Sequence, residues 1–168
     1  RRGTTMLKTK KLDSEFRKRV PGISLRTSLI VGYPGETDVE FNELLEFIQE
    51  FKFDRLGVFT YSHEENTHAF RLEDDVSNDI KSQRASKVME VQSHISYNLN
   101  KNKIGKTYKV LFDRKEGDYF IGRTEYDSPD VDNEVLVSAV DNYIRIGDFL
   151  NVKIEKADHF DLYGVLVN

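Results

Sequence analysis

The stretch RTSLIVGYPGET, Arg26 to Thr37, decides how the first part of the chain is read. An apolar strand runs into Gly, Pro and Gly, and then into an acidic helix start. Ile23 to Val31 reads as the strand, and its end, Leu29-Ile30-Val31, is continuously apolar, as in a strand covered on both faces. Thr37 with Glu40 three residues later predicts a capping box. Phe41, Leu44, Leu45, Ile48 and Phe51 follow at helical spacing, and Asp38 and Glu40 suit the positive end of the helix dipole. RLGVFTYS, Arg55 to Ser62, reads as a second strand. Strand, helix and strand in this order predict a βαβ unit with parallel strands.

Ligands of parallel sheets collect at the carboxyl ends of the strands, where VGYPGET lies. Gly32 and Gly35 remove side chains, so backbone can approach a ligand, and the helix start adds partial positive charge. The Gly-Lys-Ser/Thr ending of a phosphate loop is missing. On the residues alone, a tight strand-to-helix turn outweighs a ligand site.

Outward from this unit, a first helix runs from Thr4 or Thr5 to about Arg19 and stops at Pro21-Gly22. His63 to Val76 is a polar, acidic loop. Ser77 starts a long helix through about Asn102, with Ile80, Val88, Val91, Ile95 and Leu99 as its apolar stripe. From Lys106 the pattern changes to five short β-type runs, KTYKVLFD, DYFIGRT, NEVLVSAV, DFLNVKIEKA and LYGVLVN. These predict a small five-stranded antiparallel barrel of OB-like size. The fold class is therefore α/β plus all-β, with domains at 1–105 and 106–168.

Of the 168 residues, 38% are hydrophobic and 32% charged, the profile of a soluble globular chain. No apolar run reaches membrane-span length, and the N-terminus has no signal pattern, so the expected location is cytoplasmic. With no cysteine, the chain itself offers no disulfide, thiolate metal site or Cys nucleophile. The net charge of −4 argues against a polyanion as partner. The charge is uneven. Residues 1–105 carry 17 basic and 16 acidic side chains, and residues 106–168 carry 8 and 13.

RTSLIVGYPGET, RLGVFTYSHEENTHA, IGRTEYDSPDVDNEVLV and ADHFDLYG, in this order, resemble the radical SAM methylthiotransferases over essentially the whole chain. Within them the resemblance is to the type that methylthiolates an aspartate of a small-subunit ribosomal protein. It implies that residues 1–105 are the C-terminal part of a radical SAM (βα) barrel and that residues 106–168 are a TRAM domain. It implies a parent enzyme that uses S-adenosyl-L-methionine and two [4Fe–4S] clusters. The CxxxCxxC motif and the other ligating cysteines are absent here. This chain alone is then expected to be inactive, as a fragment without an initiator Met.

The resemblance places Gly32, Gly35 and Glu36 beside the S-adenosyl-L-methionine, with Val31 against adenine and with Tyr61 and Ser62 facing the same cavity. Glu64, Glu65 and Thr67 follow on a loop that meets the substrate. Arg1-Arg2 resembles a segment after an earlier barrel strand. TRAM domains usually bind RNA, which calls for basic groups among aromatics. This barrel has aromatics but is acidic. Asp130, Asp132, Asp158 and Asp161 are its candidate substrate-binding groups, and a basic ribosomal protein is the expected partner ahead of tRNA. Two rivals stand beside this reading, a tRNA methylthiotransferase and a cluster-free binding module. Two strands cut off from earlier neighbours would expose sheet edges and apolar surface, so self-association of residues 1–105, or partial disorder there, is expected.

His63 and His68, without a third ligand, read as loop residues rather than a metal pair, and His94 as the polar flank of the long helix. The pairs Glu64-Glu65 and Asp74-Asp75 read as solvated charge rather than hydrolytic carboxylates.

Overall fold

The computed structural model describes residues 5–129, 131–140 and 142–167. The chain divides into two compact units, Arg1–Gln92 and Ser93–Asn168.

In the first unit, α1 (Met6–Arg19) is capped by Thr5, whose Oγ1 accepts from the Lys8 N–H. Then come β1 (Arg26–Val31), which starts later than the expected Ile23, α2 (Asp38–Phe51) and β2 (Arg55–Thr60), shorter at its end than RLGVFTYS suggested. β1 and β2 pair in parallel, from Arg26 opposite Arg55 to Val31 opposite Thr60. The capping box forms as expected: the Thr37 hydroxyl accepts from Glu40 N–H, and the Glu40 carboxylate accepts from Thr37 N–H. Phe41, Phe47, Ile48 and Phe51 are the buried face of α2. The rings of Phe47 and Phe51 stack at 4.4 Å, and Phe53 joins them at 5.7 and 5.9 Å.

Only one face of the two-stranded sheet is covered. Val31 and Leu56 are buried, whereas Ile30 and its register partner Phe59 are 60% and 62% exposed. The apolar run Leu29-Ile30-Val31 therefore does not have both sides filled, because no described element packs over Ile30.

α3 (Asn78–Lys101) follows, with the Ser77 hydroxyl accepting from Ile80 N–H. Its buried face corrects the expected stripe. Val88 and Ile95 are buried, but Ile80 is 42% exposed. Within the first unit Lys81, Arg84 and Gln92 are buried alongside Val88. Gln92 Nε2 donates to the Phe53 carbonyl at 2.9 Å.

The last turns of α3 fall in the second unit. Asn100, fully buried, donates through Nδ2 to the carbonyls of Asp158 and Phe160 at 3.3 Å each. Five strands follow: β3 (Thr107–Glu116), β4 (Tyr119–Thr124), β5 (Val135–Ser138), β6 (Phe149–Ala157) and β7 (Leu162–Val167). They close a barrel in the order β3-β4-β5-β7-β6. The expected antiparallel barrel is in fact mixed, because β5 and β7 run parallel. This pairing is non-local, and nothing in the spacing of the runs records it. Val110, Phe112, Phe120, Val135, Val137, Ile144, Val152, Ile154 and Leu162 fill the interior. Gly122 and Gly164 sit where strands approach closely: a Cβ on either would overlap the Leu111 or Lys153 carbonyl. Among the described residues no helix is long and apolar enough to cross a membrane.

Candidate functional site

The turn after β1 is satisfied from within. Gly32 and Gly35 both have positive φ, +74° and +80°, which costs glycine little. The Gly32 N–H donates to Glu36 Oε1 at 2.9 Å, and the Gly35 N–H to Asp75 Oδ1 at 2.7 Å. The Glu36 N–H donates to the Tyr33 carbonyl at 2.8 Å, and the Thr37 N–H to Glu40 Oε2 at 2.8 Å. The amides expected to face a ligand thus already have partners.

Two buried cations of α3 hold this turn. Arg84 Nη1 donates to Glu36 Oε1 at 2.8 Å and to the Glu36 carbonyl at 3.0 Å, and Nη2 donates to Asp38 Oδ1 at 2.8 Å. Burial works to lower the Arg84 pKa, but the Asp38 and Glu36 carboxylates outweigh it and hold the guanidinium above its ordinary value. Lys81, 3% exposed, donates through Nζ to both Asp74 oxygens at 2.7 Å. Its ammonium lies 5.1 Å from the centre of the Tyr61 ring, and its stem runs across Gly32. A Cβ on Gly32 would overlap Lys81 Cγ. Gly32 is small for a reason that the sequence did not reveal: a lysine passes over it.

Of the remaining strand-end candidates, Val31 is fully buried and so offers no surface to an adenine. Tyr61 is partly exposed, and Ser62 is exposed and donates to Glu64 Oε1 at 2.6 Å. Burial, then the Asp74 carboxylate, raises the Tyr61 pKa, so its hydroxyl stays protonated. It pairs with His63 Nδ1 at 3.2 Å.

The acidic candidates of the barrel are built into its turns. Asp158 Oδ1 accepts from the N–H groups of Phe160 and Asp161 at 2.9 and 2.6 Å, and Oδ2 accepts from the Tyr163 hydroxyl at 3.2 Å. Burial pushes the Asp158 carboxyl up, but these donors outweigh it and keep it below the usual range. Asp161 Oδ1 accepts from the Glu134 N–H at 3.0 Å, and burial raises its pKa. Asp132 Oδ2 accepts from the Ser128 N–H at 2.7 Å. Asp130 and Arg1-Arg2 lie outside the described residues. Within those residues no three His, Cys, Asp or Glu side chains gather to hold a metal ion.

A family model for the TRAM domain matches residues 104–167. The second unit carries a TRAM domain. Over its whole length the chain is similar to proteins named ribosomal protein uS12 methylthiotransferase RimO. It is 61% identical over 168 residues to the one from Christiangramia forsetii, covering 100% of this chain and 37% of that protein. Identity to the Flavobacterium johnsoniae protein is 59%, over 98% of this chain and 38% of the relative. The Bacteroides fragilis protein is 47% identical, over 99% and 39%. The methylthiotransferase resemblance read from the motifs holds along the chain, which spans little more than a third of the length of these relatives. The TRAM match coincides with the closed mixed barrel and includes Asp132, Asp158 and Asp161.

The residues that sequence reasoning missed are Lys81 and Arg84. Their spacing places them on one face of α3, but charged side chains there read as solvated. Glu36 and Asp38 just after the glycine turn, with Asp74 in the later loop, are the carboxylates that this cation pair answers.

Proposed function

We propose that the chain is part of a ribosomal protein uS12 methylthiotransferase, which places a methylthio group on an aspartate of that small-subunit protein. The observation that supports this most is identity of 57–61% across the chain with four proteins of that name from different organisms. Residues 1–105 would be the C-terminal portion of the radical SAM domain and residues 106–168 the TRAM domain. The enzyme would work in the cytoplasm with S-adenosyl-L-methionine and two [4Fe–4S] clusters.

This chain has no cysteine, so it holds no thiolate for either cluster. Its contribution is to shape the strand-end site and to bind substrate. The Gly32, Gly35 and Glu36 amides do not fit a role as an anion cradle while Glu36, Asp75 and Tyr33 occupy them. Gly32, Gly35 and Glu36 would then border the cofactor by shape, with Tyr61 and Ser62 as the groups still presented at the strand ends. The polypeptide of residues 1–168 by itself would be inactive.

A TRAM domain at 104–167 favours tRNA as a second substrate reading. The barrel charge opposes it, with 8 basic against 13 acidic side chains in residues 106–168. The test incubates the whole parent enzyme, its clusters reconstituted, with S-adenosyl-L-methionine and either uS12 or tRNA. Mass spectrometry is expected to find one methylthio group on an aspartate of uS12. Methylthiolated adenosine in tRNA with unchanged uS12 would replace this reading.

A further inference from the structure

Four rings form a continuous row beyond the carboxyl ends of β1 and β2. Tyr33 meets Tyr61 edge-on at 5.4 Å, Tyr61 meets His63 edge-on at 6.1 Å, and His63 lies tilted on Phe70 at 4.7 Å. Such a row inside a loop would normally be buried. Here Tyr33 and Phe70 are 43% and 42% exposed, and His63 is exposed too. The loop is held in shape. Thr67 Oγ1 accepts from the Phe70 N–H at 3.1 Å and donates to the Glu64 carbonyl at 2.9 Å, which fixes the short 3-10 turn Ala69–Arg71. Asp74 and Asp75 anchor its far end to Lys81 and Gly35. Beside the row lies a hollow of about 560 Å³ lined by Glu65, Asn66, Thr67, His68, Phe70 and Arg71.

The charge of this loop is one-sided. Residues 61–77 carry Glu64, Glu65, Glu73, Asp74 and Asp75 against Arg71 alone. Exposed aromatic faces with carboxylates around them attract ammonium and guanidinium groups, which gain from the ring quadrupole and from the charge together. The molecule already contains one such pairing, the Lys81 ammonium over Tyr61 beside Asp74. A nucleic acid would also stack on the rings, but its phosphates would meet a surplus of carboxylates, Glu65 and Glu73 among them. Asp74 and Asp75 anchor the loop as Asp158 and Asp161 anchor the barrel turns, which leaves the exposed Glu65 and Glu73 as the loop carboxylates presented to a partner.

We infer that the Tyr33–Tyr61–His63–Phe70 row and its acidic loop form the docking ledge for a lysine- or arginine-rich segment of the protein substrate. This rests on the proposed function. It gives the loop that the resemblance set against the substrate a defined surface, the aromatic row, and a defined ligand chemistry, and it takes the main recognition of the basic partner away from the barrel aspartates. A cationic segment lying along the row places its neighbouring residue at the strand ends, where ligands of parallel sheets bind.

The test measures binding of fluorescently labelled uS12 to the whole parent enzyme, wild type and two variants, by anisotropy at several salt concentrations. The double variant Glu65→Lys/Glu73→Lys is expected to weaken uS12 binding about tenfold at low salt, and less at high salt. Phe70→Ala is expected to weaken it about threefold. S-adenosyl-L-methionine affinity and thermal melting should stay at wild-type values in both. Wild-type affinity for uS12 in both variants overturns the ledge and leaves the proposed function standing. A wild-type enzyme that does not bind uS12 at all contradicts the proposed function itself. Displacement of uS12 by tRNA in wild type, lost in Phe70→Ala, would assign the ledge to RNA and also overturn the inference.

Discussion

Arg84 is 7% exposed yet carries a full charge, and its partner Glu36 is nearly as deep. Removing one member of such a pair leaves the other charged and unpaired. Arg84→Ala is therefore expected to cost about 2–4 kcal/mol in denaturant unfolding of the first unit. Asp38 adds little to this, because it is 92% exposed. Arg84→Lys should recover only part, since an ammonium does not bridge two carboxylates as a planar guanidinium does. Gly32→Ala meets two obstacles, a positive φ and the Lys81 stem. We expect a loss of about 1–3 kcal/mol. Lys81→Ala is itself destabilising, because it leaves Asp74 without its ammonium, but the double variant should lose less than the sum of the two single variants in the same unfolding assay, and a loss equal to that sum would refute the overlap. In the barrel, Asp158 and Asp161 respond oppositely to pH. The Asp158 pKa is lowered in the fold, so its contribution is present above the unfolded value and is lost as pH falls through the folded one. The Asp161 pKa is raised, so its native carboxyl holds its proton more tightly, and stability declines as pH rises through that folded value. Asp158→Asn should lower stability by about 1–2 kcal/mol at neutral pH. Asp161→Asn, which keeps an acceptor for Glu134 N–H, should be neutral or stabilising at pH 8 and lose that advantage at pH 4. Melting curves at the two pH values decide the pair.

For single elements, the extent and cap of α2 were legible because Thr37 and Glu40 are local signals, but its expected stripe left out Phe47, which is buried, and included Leu44 and Leu45, which are only half-buried. Thr37→Ala is expected to cost about 1 kcal/mol through loss of the cap, read in the same unfolding assay, and no loss would mean that the box is idle. α3 was legible in extent but not in its buried face. Its stripe pairs Val88 with Lys81, Arg84 and Gln92, and those residues are buried only because Asp74, Glu36, Asp38 and the Phe53 carbonyl meet them from elsewhere in the chain. Hydrophobic periodicity cannot see a partner that is distant in sequence. The same limit hid the parallel pairing of β5 with β7, although the five strands themselves were legible from alternation and turn residues. The strand-end position of Gly32, Gly35, Tyr61 and Ser62 was visible, whereas the internal hydrogen bonds of the turn and of Asp158 and Asp161 depend on side-chain placement that spacing does not encode.

For the whole molecule, the open side of the two-stranded sheet has a consequence. Ile30 and Phe59 lie side by side and exposed on it. The polypeptide of residues 1–168 is expected to self-associate at high concentration, and Ile30→Lys/Phe59→Lys to remain monomeric in light scattering. A monomeric wild type would remove this expectation. The proposal of a basic protein substrate rests on similarity to little more than a third of the length of the uS12 methylthiotransferases, on the acidic charge of the barrel and on the acidic aromatic ledge at the strand ends. The most direct measurement is the intact mass of uS12 from ribosomes of the source cells, with and without the parent gene. A methylthio group is expected on one aspartate of uS12 in the intact strain, absent after deletion and restored when the gene is returned. Identical uS12 masses in the two strains would contradict it.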